Sequence, residues 1–166
     1  MKVSSQISSR RQRVKTYKLI MYLYLSSKDT SGYHSSNTGT DFIITLPSSY
    51  YFSRTETWEI GLVDLYIENP DNTSISKINM LKLLDVYCDS VEPSVYNGSE
   101  RKLLTVTRLK DCMRSIFTPS HIRYVELSQE RLSNFHLYLK YHDGEYLTLP
   151  GLTSSCTLHI KRQGRL

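Results

Sequence analysis

The chain has 166 residues, 21 of them basic and 16 acidic, a length that suits one domain with a core of its own. Alanine is absent, whereas Tyr occurs 13 times and Ser and Thr together supply 37 residues; this composition points to an all-β protein and away from a helical bundle or a Rossmann-type enzyme, whose glycine-rich phosphate loop is also missing. The net charge of +5 is unevenly placed: residues 1–18 hold six basic residues and no acid, residues 161–166 hold Lys161, Arg162 and Arg165, and the stretch between carries a net −4.

A basic arm spaced by Ser and Gln is expected over residues 1–16, disordered when free. Lys15 to Ser26, rich in aromatic and branched residues, predicts the first strand. Lys28 to Thr40 reads as a loop, and Asp41 to Leu46 as a short strand stopped by Pro47, which has no donor for a ladder. Residues 48–56 read as irregular. Thr57 to Glu68 alternates over most of its length, with Trp58, Ile60 and Leu62 on one side; Gly61 within it suggests a bulge or a close backbone approach. Further strands are expected at Lys82 to Cys88, Lys102 to Leu109, Arg123 to Leu127, Phe135 to Tyr141 and Cys156 to Lys161. Glu92 to Glu100 reads as a loop, residues 110–120 as a helical turn or a loop, Ser128 to Ser133 as a turn, and His142-Asp143-Gly144 as a tight turn. About eight antiparallel strands with no internal repeat fit a single jelly-roll sandwich spanning residues 17–162, with a short basic tail at 163–166.

Nothing in the sequence points to catalysis, a cofactor or a metal. There is no His-x-His pair, no His-Glu-x-x-His and no Gly-x-Ser-x-Gly, so the histidines are expected to be ordinary strand and loop residues. Asp85 and Asp89 read as an ordinary solvated pair on one strand face. Cys88, Cys112 and Cys156 are odd in number and widely spaced, which suits free buried thiols in a reducing compartment. No apolar run reaches the length of a membrane span, and the best one, Leu19 to Leu25, lacks the small-residue cleavage site of a secretory signal. Trp58 is expected in the core. Tyr22, Tyr24, Tyr138 and Tyr141 lie on strands with apolar groups on both faces, and one sandwich cannot bury both. An exposed tyrosine-rich surface suited to contact between copies is therefore expected.

Several segments fall in a familiar order: Phe42-Ile43-Ile44-Thr45-Leu46-Pro47, Trp58-Glu59-Ile60-Gly61-Leu62, Tyr87-Cys88-Asp89 leading to Glu92-Pro93, Lys102-Leu103-Leu104, and a final Leu158-His159-Ile160-Lys161-Arg162. The chain in this respect resembles the single jelly-roll penton, or vertex, proteins of Polinton/Maverick elements and adintoviruses. The likeness runs from about Tyr17 to Arg162. Residues 110–120 and the basic arm have no counterpart in it, and no Arg-Gly-Asp is present.

The resemblance implies a structural capsid protein that forms a homopentamer at the fivefold vertices of an icosahedral double-stranded DNA virion. Trimers of a double jelly-roll major capsid protein would be its neighbours. Both termini would lie on the inner side, so that Arg10, Arg11, Arg13, Lys15, Arg162 and Arg165 would meet packaged DNA or the underside of neighbouring capsomers by sequence-independent charge contact. A solvated tail is the plainer reading of the same basic residues. A minor or cement capsid protein and a jelly-roll module binding a receptor or carbohydrate are the competing readings, and oligomeric state separates them.

Overall fold

The computed structural model describes residues 20–28, 34–68, 83–108, 114–147 and 151–164. Along the described chain run β1 (Ile20–Ser26), β2 (Asp41–Tyr51), β3 (Trp58–Glu68), β4 (Leu83–Cys88), β5 (Ser94–Tyr96), β6 (Ser99–Arg101), β7 (Leu103–Arg108), β8 (Arg114–Phe117), β9 (Tyr124–Glu126), β10 (Arg131–Tyr141) and β11 (Thr153–Arg162). One sheet has the order β1-β11-β3-β8, with β9 paired to the other end of β3; the second has the order β2-β10-β4-β7. All pairings are antiparallel. The chain changes sheet after each of its first three strands and again after β7, β9 and β10, which is jelly-roll winding. The eight expected strands correspond to β1–β4, β7 and β9–β11; β8 and the β5–β6 hairpin are additions to the expectation.

The inner faces bury Leu25, Ile60, Leu62, Leu65 and Leu158 from the first sheet against Phe42, Leu84, Val86, Phe135 and Leu139 from the second. Two phase breaks make this possible. On β3, Leu62 pairs with Leu158 and Asp64 with Thr157, so Val63 is an unpaired extra residue. The inward set is therefore Ile60 and Leu62 before the bulge and Leu65 and Ile67 after it, as the burial pattern records. On β10, Leu132 pairs with Tyr50 but Asn134 with Thr45, and the inward set passes from Leu132 to Phe135.

The second break corrects the expectation at Pro47. β2 continues through it to Tyr51, because residues 46–49 bulge out opposite Ser133 on an edge strand, where a missing donor costs no ladder bond. For the same reason residues 48–51, expected to be irregular, are strand, and the turn expected at Ser128 to Ser133 gives way to the start of β10 at Arg131. The loop expected at Glu92 to Glu100 contains a hairpin: Asn97 (φ 51°) and Gly98 (φ 76°) are both left-handed, as a two-residue type I′ turn requires. Within residues 110–120, Arg114–Phe117 is a strand on β3 instead of a helical turn or loop, and Phe117 packs on the core. The arm 1–16, Lys15 to Leu19 of the first expected strand, Cys112, and Arg165 of the tail lie outside the described residues. Among those residues no helix is long and apolar enough to cross a membrane.

Gly61 is a close approach. A Cβ there would sit 2.4 Å from Ile122 Cγ2 and 3.0 Å from the Arg123 carbonyl oxygen. Gly61→Val should therefore push the β9 segment off β3 and destabilise the fold by about 1–3 kcal/mol, an overpacking cost, read as a lowered urea midpoint with an unchanged slope.

Candidate assembly surface

A sheet edge exposes a row of unpaired backbone groups, and soluble proteins guard such edges with charge, proline, bulges or shortness. β2 carries Asp41, Pro47 and a bulge; β7 carries a bulge and ends in Arg108; β8 and β9 are four and three residues long. Among the described residues β1 is the edge strand with none of these protections. Its seven residues, Ile-Met-Tyr-Leu-Tyr-Leu-Ser, include no charge and no proline, and its register with β11 is unbroken. Its outward side chains are Ile20, Tyr22 and Tyr24, which are 51%, 62% and 68% exposed. An uncharged edge beside an apolar strip suits contact with another protein surface.

The strip continues across the outer face of the first sheet. Tyr22 lies beside His159 and His159 beside Gly61, which is itself paired with Tyr124. The Tyr22 and His159 rings stack at 4.5 Å and 12°. The Tyr124 hydroxyl and His159 Nδ1 share a 2.6 Å hydrogen bond, while His159 Nε2 is buried without a partner among the described residues. Burial, and after it the Lys161 ammonium, hold the His159 pKa below its ordinary value. Lys161 Nζ lies 3.6 Å from the Tyr124 ring centroid and 3.7 Å from the Glu59 carboxylate. With no side chain at Gly61, whose Cβ would meet Tyr124 Cδ1 at 3.1 Å, Tyr124 can lean across to the histidine.

Of the four tyrosines expected on an outer surface, Tyr22 and Tyr24 are there. Tyr138 is half-buried, stacked on Tyr87 at 4.9 Å and 7°. Tyr141 is a correction: the phase of β10 after its bulge turns it into the core. Trp58 packs against the core as expected, 5.0 Å from Phe52. Tyr124 and His159 lie on strands the sequence predicts, but nothing local shows that β9 and β11 flank β3 at Gly61 and so bring the two side chains together.

The opposite sheet corrects the reading of Asp85 and Asp89 as a solvated pair. Asp85 is fully buried; its Oδ2 accepts from the Tyr87 hydroxyl at 3.1 Å and its Oδ1 lies 3.2 Å from His142 Nδ1. His142 also meets the Tyr96 hydroxyl at 2.9 Å, which ties the β5–β6 hairpin to the sheet. His136 bridges two carboxylates, Nδ1 to Asp89 at 2.6 Å and Nε2 to Asp41 at 2.7 Å. Among the described residues no group of three or more His, Cys, Asp or Glu side chains is arranged to hold a metal ion. Cys88 and Cys156 are free and buried, and burial pushes the Cys88 thiol up to about 11.

Of the six basic residues expected to face an anionic partner, the described residues include only Arg162. It ends β11 and forms an ion pair with Glu56 at 2.5 Å. Arg10, Arg11, Arg13, Lys15 and Arg165 lie outside the described residues.

Burial alone would lower the His136 pKa, but the hydrogen bonds to Asp41 and Asp89 outweigh it and the pKa is raised. The clamp therefore contributes fully below the unfolded-state value of about 6.5 and is lost as pH rises through the higher folded-state value. The wild-type protein should lose more melting temperature between pH 5.5 and 8.5 than His136→Asn, by differential scanning fluorimetry at constant ionic strength. Equal losses in the two proteins would remove the clamp from the account.

No protein-family model and no curated protein matches the sequence. Among solved structures, the chain is similar to the crystal structure of the mavirus penton protein. The TM-score is 0.56 at 7% identity, and the match covers 87% of this chain and all of that one. What the two share is the fold: this chain is a single jelly-roll sandwich of two antiparallel sheets, built along nearly its whole length as that penton is built.

Proposed function

We propose that this protein is a structural, non-enzymatic capsid subunit. It would close as a homopentamer at the vertices of an icosahedral double-stranded DNA virion, beside trimers of a double jelly-roll major capsid protein. The observation that carries this reading is the correspondence with all of the mavirus penton chain. The order of the Trp58-Glu59-Ile60-Gly61-Leu62 and Tyr87-Cys88-Asp89 elements supports it independently of that correspondence.

The mechanism is geometric. A ring of five needs two different surfaces that meet head to tail, each subunit turned from the last. β1, with an edge that has no partner strand among the described residues and the Ile20, Tyr22 and Tyr24 strip, supplies one such surface. The basic arm supplies the contact with packaged DNA or neighbouring capsomers through Arg10, Arg11, Arg13 and Lys15, joined by Arg165. Arg162 contributes less, because Glu56 already balances its charge. Assembly in a reducing host compartment accords with the buried, unpaired Cys88 and Cys156.

Native mass spectrometry of the full chain should give a pentamer, and a stable trimer would overturn the reading. Tyr22→Lys with Tyr24→Lys should shift the protein to monomer with little change in melting temperature. Tyrosine anchors in an interface are worth about 2 kcal/mol each. A folded double variant that stays pentameric would move the interface elsewhere.

Replacing Arg10, Arg11, Arg13 and Lys15 with Gln should weaken duplex DNA binding for all sequences alike. The slope of log affinity against log salt should become shallower by about 0.9 for each phosphate no longer neutralised, with the melting temperature unchanged. A fall in melting temperature would mean that the arm is packed structure.

A further inference from the structure

The outer face of the second sheet holds a cavity of about 370 Å³ between the β5–β6 hairpin and the turn that follows β10. Arg101, Lys102 and Lys140 line it, together with Tyr87, Tyr138 and Glu100. Each cation is held in place by a neutral group. Arg101 donates from Nε to Ser99 Oγ at 2.9 Å and from a terminal nitrogen to the Tyr87 hydroxyl oxygen at 3.1 Å. That hydroxyl in turn donates to the buried Asp85, so the guanidinium is fixed by a network rooted in the sheet. Lys102 Nζ donates to the Asp89 backbone carbonyl at 2.7 Å. Lys140 Nζ lies 4.1 Å from the Tyr146 ring centroid and 5.4 Å from that of Tyr138.

Among the described residues none of the three makes an ion pair. Glu100 is the single carboxylate of the lining and leaves it at a net +2. Arg101 reaches the Asp85 carboxylate only through the Tyr87 hydroxyl, and cations with no direct carboxylate partner keep donors and charge for a ligand. The lining offers no free ring for stacking, since Tyr138 is already packed by Tyr87, His136 and Lys140. Such a site recognises charge and hydrogen-bond acceptors, and it exceeds a bare anion in size.

We propose that this cavity binds a tetrahedral oxyanion of the sulfate or phosphate type, free or borne on a sulfated saccharide. The site goes beyond the vertex reading and does not depend on it.

Isothermal titration of the full chain with sodium sulfate, at ionic strength held constant with chloride, should show saturable binding. Lys140→Gln, checked for an unchanged melting temperature, should weaken that binding at least tenfold. Glu100→Gln should strengthen it severalfold, and this gain keeps the proposal testable if a cation variant misfolds. Titration with a heparin-type hexasaccharide distinguishes the sources. Tighter binding than sulfate, lost in Lys140→Gln, assigns the saccharide, whereas sulfate binding without such a gain assigns the free anion. Absence of saturable sulfate binding, or binding equally strong in Lys140→Gln and unmoved by Glu100→Gln, would overturn the proposal.

Discussion

The antiparallel pairing of β11 with β3 is the interaction on which the rest of the molecule depends. It runs from Thr153 opposite Glu68 to Arg162 opposite Trp58 and joins the end of the chain to its third strand. β1 then adds to the free side of β11, while β8 and β9 divide the free side of β3 between them. The Val63 bulge lies inside this pairing, and without it one half of β3 would turn its apolar side chains to solvent. The same pairing sets His159 beside Gly61, which creates the space that Tyr124 crosses. Core and outer surface thus follow from one register.

The two outer faces solve different electrostatic problems. On the first, aromatic rings surround a histidine whose pKa burial lowers, and β1, whose outer edge has no partner strand among the described residues, is uncharged. Such a face loses little on being covered by another surface, because few charges need to be stripped of water. On the second, histidines and aspartates are paired with one another across strands, and Arg101, Lys102 and Lys140 are held by neutral groups. Paired charges fix strands to one another, while cations that make no ion pair among the described residues keep their charge for a ligand. The faces are therefore suited to different partners, a protein surface on one side and an anion on the other.

Much of the fold is legible in the residues. Strands appear where aromatic and branched residues alternate, as at Phe135 to Tyr141, since alternation is what a half-buried pleated surface demands. Pro47 misleads because the rule against proline in strands weakens at an edge, and sequence does not say which strands are edges. The Asn97-Gly98 pair is a genuine hairpin signal, but its flanking strands are only three residues each, too short to show a period. Arg114 to Phe117 becomes a strand through its partner β3, a non-local cause that no local pattern carries.

The residues alone determine an all-β chain of about eight principal strands, the uneven placement of charge, the free thiols at Cys88 and Cys156, and tyrosines too numerous for one core to hold. The tertiary structure decides which of those tyrosines face outward, because a bulge that shifts a strand by one residue exchanges its two faces. Tyr141 is buried on that account, while Tyr22 and Tyr24 stay exposed. It also decides that Asp85 is sealed beneath the hairpin, that Asp41, His136 and Asp89 meet, and that Arg162 is paired to Glu56. These interactions join residues tens of positions apart, and only the pairing of distant strands brings such residues within hydrogen-bonding distance.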